Sequence, residues 1–258
     1  MVKIQEVYDY LDSIAPFSSQ ADFDNSGFLV GDINRYINHI GLVLDVTKQT
    51  LAEAVSLGVD LIITHHPVIF NAQKSFLAGN LGYELAASGI ACIGAHTSLD
   101  AASGGVNDVL AEILELKKVE ALPTETYPNG LIRVGFIDPM IARDFAEHIG
   151  NKLFSDVRYY DAGKMIETVA VCGGGAGSLV DEVIEAGVDA FVMGEVDYHH
   201  FLNAANNSVS MFAAGHFETE NPIIEVLAKK IALQFPGTDV SVLQQDLPVD
   251  IFVPDFLR

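Results

Sequence analysis

The feature that most constrains the fold is an alternation of short runs rich in Val and Ile with stretches of helical period. The clearest unit has an apolar run at residues 39–45, a helical pattern at 47–57 and a second apolar run at 59–64. This order is typical of a βαβ unit, in which a helix connects two parallel strands. The sequence therefore predicts an α/β fold with largely parallel sheets.

A second unit repeats this order further along the chain. An apolar run at 168–172 precedes a glycine loop, a helical pattern at 178–185 and a run at 188–193. The junctions Gly58-Val-Asp and Gly187-Val-Asp match at the end of each helical pattern. We therefore predict two related α/β domains, by duplication or by convergent use of one motif.

Turn-forming residues are densest between Leu122 and Gly130, and we place the domain boundary there. The resulting prediction assigns residues 1–122 with 214–258 to the metal-binding domain argued below. Residues 123–213 form a second, inserted α/β domain. The metal site is expected at the strand ends between the two.

The charge of the chain limits its partners. The formal net charge is −21 with only 14 Lys and Arg residues. Nucleic-acid binding depends on clustered cationic side chains, so a DNA or RNA ligand is not expected. The acidity is more typical of a solvated, self-repelling surface than of a specific acidic docking face.

Neither the N-terminal residues nor the cysteines indicate export. The first ten residues lack the apolar run of a signal peptide, and no window approaches eighteen uninterrupted apolar residues. Cys92 and Cys172 both lie inside apolar runs, as expected for buried reduced thiols. We predict a cytoplasmic protein without membrane association.

Two adjacent histidines, His65 and His66, follow a predicted buried strand. Neighbouring side chains on a strand point to opposite faces, so both imidazoles reach one site only if the chain leaves strand geometry there. Pro67 favours this by biasing His66 toward an extended turn. The alternative is one buried, hydrogen-bonded histidine and one exposed histidine.

Asp100 and His96 follow another predicted strand, at residues 89–94, and should emerge at the same edge of the sheet. Asp100 could supply an oxygen ligand to a metal, or it could cap the next helix. We assign His96 to an outer position, where it would orient ligands or transfer a proton.

His216 and Glu220 complete the candidate site. In a helix continuing into the apolar stretch after Pro222, they lie on one face, four residues apart. A solvated His/Glu pair is the ordinary alternative. With the residues above they offer three imidazoles and two carboxylates, enough for two divalent ions with open positions for water. Such N/O ligands favour zinc, iron, manganese, cobalt or nickel.

Two further segments lie at strand ends. The glycine loop at 172–178 could present amides to a phosphate, but it lacks the residues of a P-loop, and a tight turn is the simpler interpretation. The segment from Met193 to His200 includes Glu195. It could line the far wall of the site or begin a polar helix.

Taken together, these motifs resemble the Nif-three-like (NGG-interacting-factor-like) dinuclear metal-centre family, whose bacterial members are often called type 2 GTP cyclohydrolase homologues. The motifs that carry this resemblance span nearly the whole chain: Asp24-Asn25-Ser26-Gly27-Phe28-Leu29-Val30-Gly31, Thr64-His65-His66-Pro67, His96 to Asp100, Gly105-Val-Asn-Asp108, Gly173 to Gly177, Gly194-Glu195, and Gly215-His216 with Glu220. The chain departs from the family in having no Trp, and Phe23 stands near the usual position of that residue.

The resemblance implies a set of metal ligands, namely His65, His66, Asp100, His216 and Glu220. Glu220 would bridge the two ions, and Glu220 and His96 are the candidate catalytic residues. It also implies a homo-oligomer, a toroidal hexamer with the metals facing an internal cavity. The expected function is a metal-dependent hydrolase, GTP cyclohydrolase type 2-like, acting on a nucleotide-like or heterocyclic small molecule. The alternative is a non-enzymatic metal-binding regulatory or interaction protein.

Overall fold

The structure is a computed structural model that describes residues 1–247 and Val249. Its strands are β1 (Val2–Lys3), β2 (Gly27–Val30), β3 (Tyr36–Ile37), β4 (His39–Val43), β5 (Leu61–Thr64), β6 (Ala91–Gly94), β7 (Lys117–Leu122), β8 (Ile132–Met140), β9 (Arg158–Tyr160), β10 (Ile166–Cys172), β11 (Ala190–Met193), β12 (Ser210–Ala213) and β13 (Asp239–Val242). Its α-helices are α1 (Ile4–Ile14), α2 (Lys48–Leu57), α3 (Leu81–Ala87), α4 (Thr97–Ala101), α5 (Val106–Ile113), α6 (Ala142–Leu153), α7 (Val180–Glu185), α8 (Tyr198–Asn206), α9 (His216–Glu220) and α10 (Pro222–Gln234).

The first sheet has five strands in the order β13, β4, β5, β6, β2. The first four run parallel, and β2 pairs antiparallel with β6 at the edge. The predicted βαβ unit is present as β4, α2 and β5. Thr47 caps α2 by accepting a hydrogen bond from the Thr50 amide, and Gly58 ends the helix in the left-handed region at φ 68°.

The second sheet has six strands in the order β7, β8, β10, β11, β12, β9. Its centre, β10, β11 and β12, is parallel, as the second predicted unit requires. The flanking pairs are antiparallel, so the sheet is mixed. In the β7–β8 pair, the turn-rich segment after Leu122 returns the chain directly as β8 beside β7. The predicted α/β class is confirmed, and the domain division at residues 122 and 214 stays a prediction.

Each sheet buries both faces under helices, which explains why its central strands are continuous apolar runs. α1 and α10 cover one face of the first sheet, and α2 and α3 cover the other. α6 covers one face of the second sheet, and α7 and α8 cover the other. α5 lies between the sheets, because Val106 and Val109 pack with the first and Leu110 and Ala111 pack with the second.

Helices that could span a membrane are not found in the described part of the chain.

A buried arginine also connects the two sheets. Arg133 of β8 is 4% exposed and forms an ion pair with Asp108 of α5. Its guanidinium donates to the carbonyl oxygens of Gly130 at 2.6 Å and of Ala101 at 2.9 Å. Asp108 also accepts a hydrogen bond from the Gly104 amide at 2.6 Å. Several buried or partly buried acceptors therefore depend on one cation.

We expect Arg133→Met to lower the free energy of unfolding by about 3 kcal/mol, because it leaves Asp108 and the buried carbonyls without their donor. Lys117→Met is the matched control, since Lys117 pairs with Asp138 in solvent, with side chains 58% and 87% exposed. It should change the free energy of unfolding by less than about 1 kcal/mol. Urea denaturation at one fixed metal content measures both. Equal effects of the two substitutions would contradict the assigned role of Arg133.

Candidate metal centre

The two adjacent histidines leave strand geometry as the sequence predicts, because β5 ends at Thr64. His65 is completely buried, and its Nδ1 lies 2.8 Å from the carbonyl oxygen of Ala95. A carbonyl can only accept, so Nδ1 carries the proton and Nε2 presents a lone pair to the site. His66 points to the same site from the next position, and its side chain is 25% exposed.

A carboxylate orients each of the other two candidate imidazole ligands. Nδ1 of His66 lies 2.7 Å from Oδ1 of Asp45, which follows β4 at the same sheet edge. Nδ1 of His216 lies 3.3 Å from Oε2 of Glu195. Both contacts favour the tautomer with Nε2 free, as at metal-binding histidines in general.

The predicted helix carrying His216 and Glu220 differs in one respect from the structure. It is divided at Asn221 into the short α9 and the longer α10. Pro222 accounts for the division, since it has no N–H to continue the hydrogen bonds of α9. The one-turn spacing survives, and Nε2 of His216 lies 3.1 Å from Oε2 of Glu220.

The other four predicted ligands lie around Glu220. Its Oε2 lies 3.0 Å from Nε2 of His66 and 3.8 Å from Nε2 of His65. Oδ1 of Asp100 lies 3.4 Å from Nε2 of His65. Two sets of ligand atoms, each within 4.8 Å of one another, share Glu220: one comprises His66, His216 and Glu220, and the other comprises His65, Asp100 and Glu220. These are two candidate metal-binding groups.

The arrangement fits a bound cation better than a set of internal hydrogen bonds. Nε2 of His65 is buried without a hydrogen-bond partner, and the nearest groups to Oε2 of Glu220 are Nε2 atoms of the other candidate ligands. Buried polar atoms without partners are destabilising and rare. A divalent ion would satisfy both atoms, and nitrogen and oxygen donors without thiolate suit the metals considered above.

Burial and neighbouring charge shift the pKa values of these groups in different directions. Burial lowers the pKa of His65 to about 4, which keeps it neutral. Although burial opposes it, the carboxylates of Asp45 and Glu220 raise the pKa of His66 to about 10. Glu220 likewise raises the pKa of His216 to about 9. Burial and then the charge of Glu220 raise the pKa of Asp100 well above its usual range.

His96 lies beside the centre and is held by Asp24. Its ring centroid is 5.2 Å from that of His65 and 5.4 Å from that of His66. Nδ1 of His96 lies 2.9 Å from Oδ1 of the buried Asp24, which also accepts hydrogen bonds from Thr97. Burial opposes ionisation of Asp24, but these hydrogen bonds hold its pKa below the usual range. Nε2 of His96 can join His65 and His66 in a third group of potential ligand atoms.

The glycine loop after β10 forms the opposite wall. Its amides are used within the protein, since Gly173 donates to Asn107 Oδ1 at 2.7 Å and Gly174 donates to Thr219 Oγ1 at 3.1 Å. Gly174 has φ 64°, and a Cβ there would collide with the Glu220 carboxylate. The loop is therefore a tight turn that allows Glu220 to approach the backbone. The intervening cleft has a volume of about 350 Å³.

Three carboxylates that orient the histidines received no such role from sequence reasoning. Asp45 ends the run before the first predicted helix and lies at the same sheet edge as His65, so its position was a usable signal. Asp24 belonged only to the family motif, and Glu195 was considered as a wall of the site. The contacts of these carboxylates with histidine Nδ1 atoms join residues far apart in the chain, which a local sequence pattern does not show.

Metal binding should release protons. His66 and His216 have pKa values of about 10 and 9 in the metal-free protein, so both are protonated at neutral pH. Coordination requires the neutral imidazoles, so zinc binding should displace about two protons per chain at pH 7. The apparent affinity should rise from pH 6 to pH 8, because the displaced protons are released into a solution of falling proton concentration.

Isothermal titration calorimetry in two buffers of different ionisation enthalpy counts the released protons. The His66→Ala/His216→Ala variant is the control for zinc bound elsewhere on the acidic surface. A heat of binding that does not depend on the buffer would contradict the protonated, metal-free pair.

Comparisons with known proteins agree with this architecture. Two curated relatives carry the name GTP cyclohydrolase 1 type 2 homolog. The protein from Clostridium acetobutylicum is 28% identical, over 96% of this chain and 97% of its own length. The protein from Streptomyces coelicolor is 32% identical, over 90% of this chain and 86% of its own. The crystal structure of a Staphylococcus aureus hypothetical protein aligns with TM-score 0.87 and 25% identity, covering 98% of this chain and 99% of the other.

The match to a family covers nearly the whole chain, including every candidate ligand and the carboxylates that orient the histidines. Residues 2–248 match the family described as Duf34/NIF3 (NGG1p interacting factor 3). On this match and on the shared fold, the chain belongs to the Duf34/NIF3 family.

Proposed function

We propose that the protein binds two divalent metal ions that share Glu220. One ion would be held by His65, Asp100 and Glu220, and the other by His66, His216 and Glu220. The observation that carries this proposal is the convergence of three imidazole Nε2 atoms on one oxygen of the buried Glu220, with Nε2 of His65 buried and without a hydrogen-bond partner. Two carboxylates and three imidazoles gathered in one site are a typical ligand set for divalent ions.

We infer that the centre serves a hydrolase. Divalent ions at such a centre act as Lewis acids and lower the pKa of water, which supplies a nucleophile near neutral pH. The side chains leave an accessible cleft of about 350 Å³ beside the ligands. His96 lines this cleft, and Asp24 holds its Nδ1, which leaves Nε2 available to accept and return a proton.

The proposed substrate is a small nucleotide-like or heterocyclic molecule. The names of the curated relatives support this class, since both are called GTP cyclohydrolase 1 type 2 homolog. The acidic chain and the small cleft also favour a small molecule over nucleic acid. The predicted hexamer also remains a proposal, and light scattering of the unmodified chain would measure its mass.

Turnover separates the hydrolase from the non-enzymatic alternative. We expect the metal-loaded protein to hydrolyse at least one compound in a panel of guanine nucleotides, pteridines and phosphoesters. His96→Gln should lower kcat by about 10²-fold or more while leaving the metal content unchanged, because it removes the proton acceptor but no proposed ligand. His199→Gln is the matched control, since His199 is exposed on α8.

The His65→Ala/His66→Ala variant sets the background for this panel. Wild-type rates equal to that background with zinc, manganese, iron, cobalt and nickel would contradict the hydrolase and favour a metal-binding regulatory or interaction protein.

A further inference from the structure

Two phenylalanines stand exposed at the mouth of the metal cleft. Phe23 is 58% exposed and Phe70 is 42% exposed, and both line the cleft that contains His66, Asp100 and Glu220. Their ring centroids are 6.3 Å apart, with an interplanar angle of 37°. Large apolar side chains at the rim of a polar cleft leave surface that a ligand could cover.

Both rings are held in place by polar contacts of adjacent residues. Asp24, the residue after Phe23, contacts Nδ1 of His96 and accepts a hydrogen bond from Thr97. The side chain of Asn25 donates to the carbonyl oxygen of Ile69, the residue before Phe70, at 2.6 Å. Phe70 also meets the ring of His96 edge-on, with centroids 6.1 Å apart. The segments that carry the two rings are therefore joined to each other and to His96, which lowers the entropic cost of ligand binding.

The charge of the surroundings indicates what part of a ligand is recognised. A second cleft, of about 330 Å³, adjoins the first, and the two share Phe23, Thr97 and Tyr127. Neither Lys nor Arg occurs among the described residues that line these two clefts. The clefts therefore offer no Lys or Arg to a phosphate, and their main apolar recognition element is the faces of the aromatic rings.

We propose that Phe23 and Phe70 form a stacking platform for a planar heteroaromatic ring of the ligand on which the metal centre acts. This inference rests on the proposed function, and it assigns recognition to the ring system of the substrate. The adjoining cleft then receives the group attached to that ring. A purine nucleoside has both parts, a planar ring and an attached ribose.

The absence of Trp from this chain makes a direct optical test possible. Phe23→Trp introduces the sole indole at the platform. Titration of the zinc-loaded variant with guanosine should quench its fluorescence, because the purine stacks on the indole. Ribose 5-phosphate has no aromatic ring and should cause no quenching. Phe154→Trp is the matched control, since Phe154 is 93% exposed and does not line these clefts.

A second substitution tests the partner ring. Adding Phe70→Ala to Phe23→Trp should weaken guanosine binding about tenfold, the effect expected for the loss of one stacking partner. Adding Phe154→Ala instead should leave the affinity unchanged. Metal analysis of each variant shows whether the centre is intact.

The platform is overturned if guanosine quenches Phe23→Trp no more than Phe154→Trp, or if ribose 5-phosphate quenches it equally. It is also overturned if the emission responds to protein concentration and not to guanosine, which would indicate contact between copies. Stacking without turnover in the substrate panel would support the platform and contradict the hydrolase. Turnover without stacking would support the hydrolase and contradict the platform.

Discussion

The site depends on one buried carboxylate, that of Glu220, whose side chain is only 6% exposed. The imidazoles of His65, His66 and His216 all face the same oxygen of this group. Such a charge is stable inside a protein only when cations or hydrogen-bond donors surround it. Without metal, protonated His66 and His216 can supply the charge, and their raised pKa values reflect this. Metal ions would replace those protons, so the same residues can compensate the charge of Glu220 in the metal-free and in the metal-bound protein.

The fold supplies this arrangement by ending strands from two sheets at one cleft. His65 and His66 follow β5, Asp100 lies one turn into α4 after β6, and His216 follows β12. The glycine turn after β10 closes the other side, where the absence of a side chain at Gly174 leaves room for Glu220. Carboxylates then fix the imidazole tautomers from behind. The ligands thus come from rigid element ends, and the exposed Phe23 and Phe70 are added on loops at the rim.

Much of this could be predicted from the sequence because it depends on local patterns. The period of the apolar residues was sufficient for the βαβ unit at 39–64. Adjacency to strand ends grouped His65 with Asp100, and helical spacing paired His216 with Glu220. Contacts between segments distant in the chain could not be predicted from local patterns. The second sheet has an antiparallel edge where β9 pairs with β12, two strands far apart in the chain. The roles of Asp24 and Asp45 depend on which atom of a histidine they contact. The break at Asn221 was encoded locally by Pro222, but the apolar pattern running through it favoured one continuous helix.

The most direct test of the shared centre is a count of metal ions in the wild type and in the Glu220→Gln variant. After saturation with zinc and removal of free metal, elemental analysis of the wild type should give about two ions per chain. Glu220→Gln keeps the size of the side chain but removes the shared charge, so its count should fall below that of the wild type under the same conditions. An unchanged count in the variant, or no metal retained by the wild type, would contradict a dinuclear centre built on Glu220.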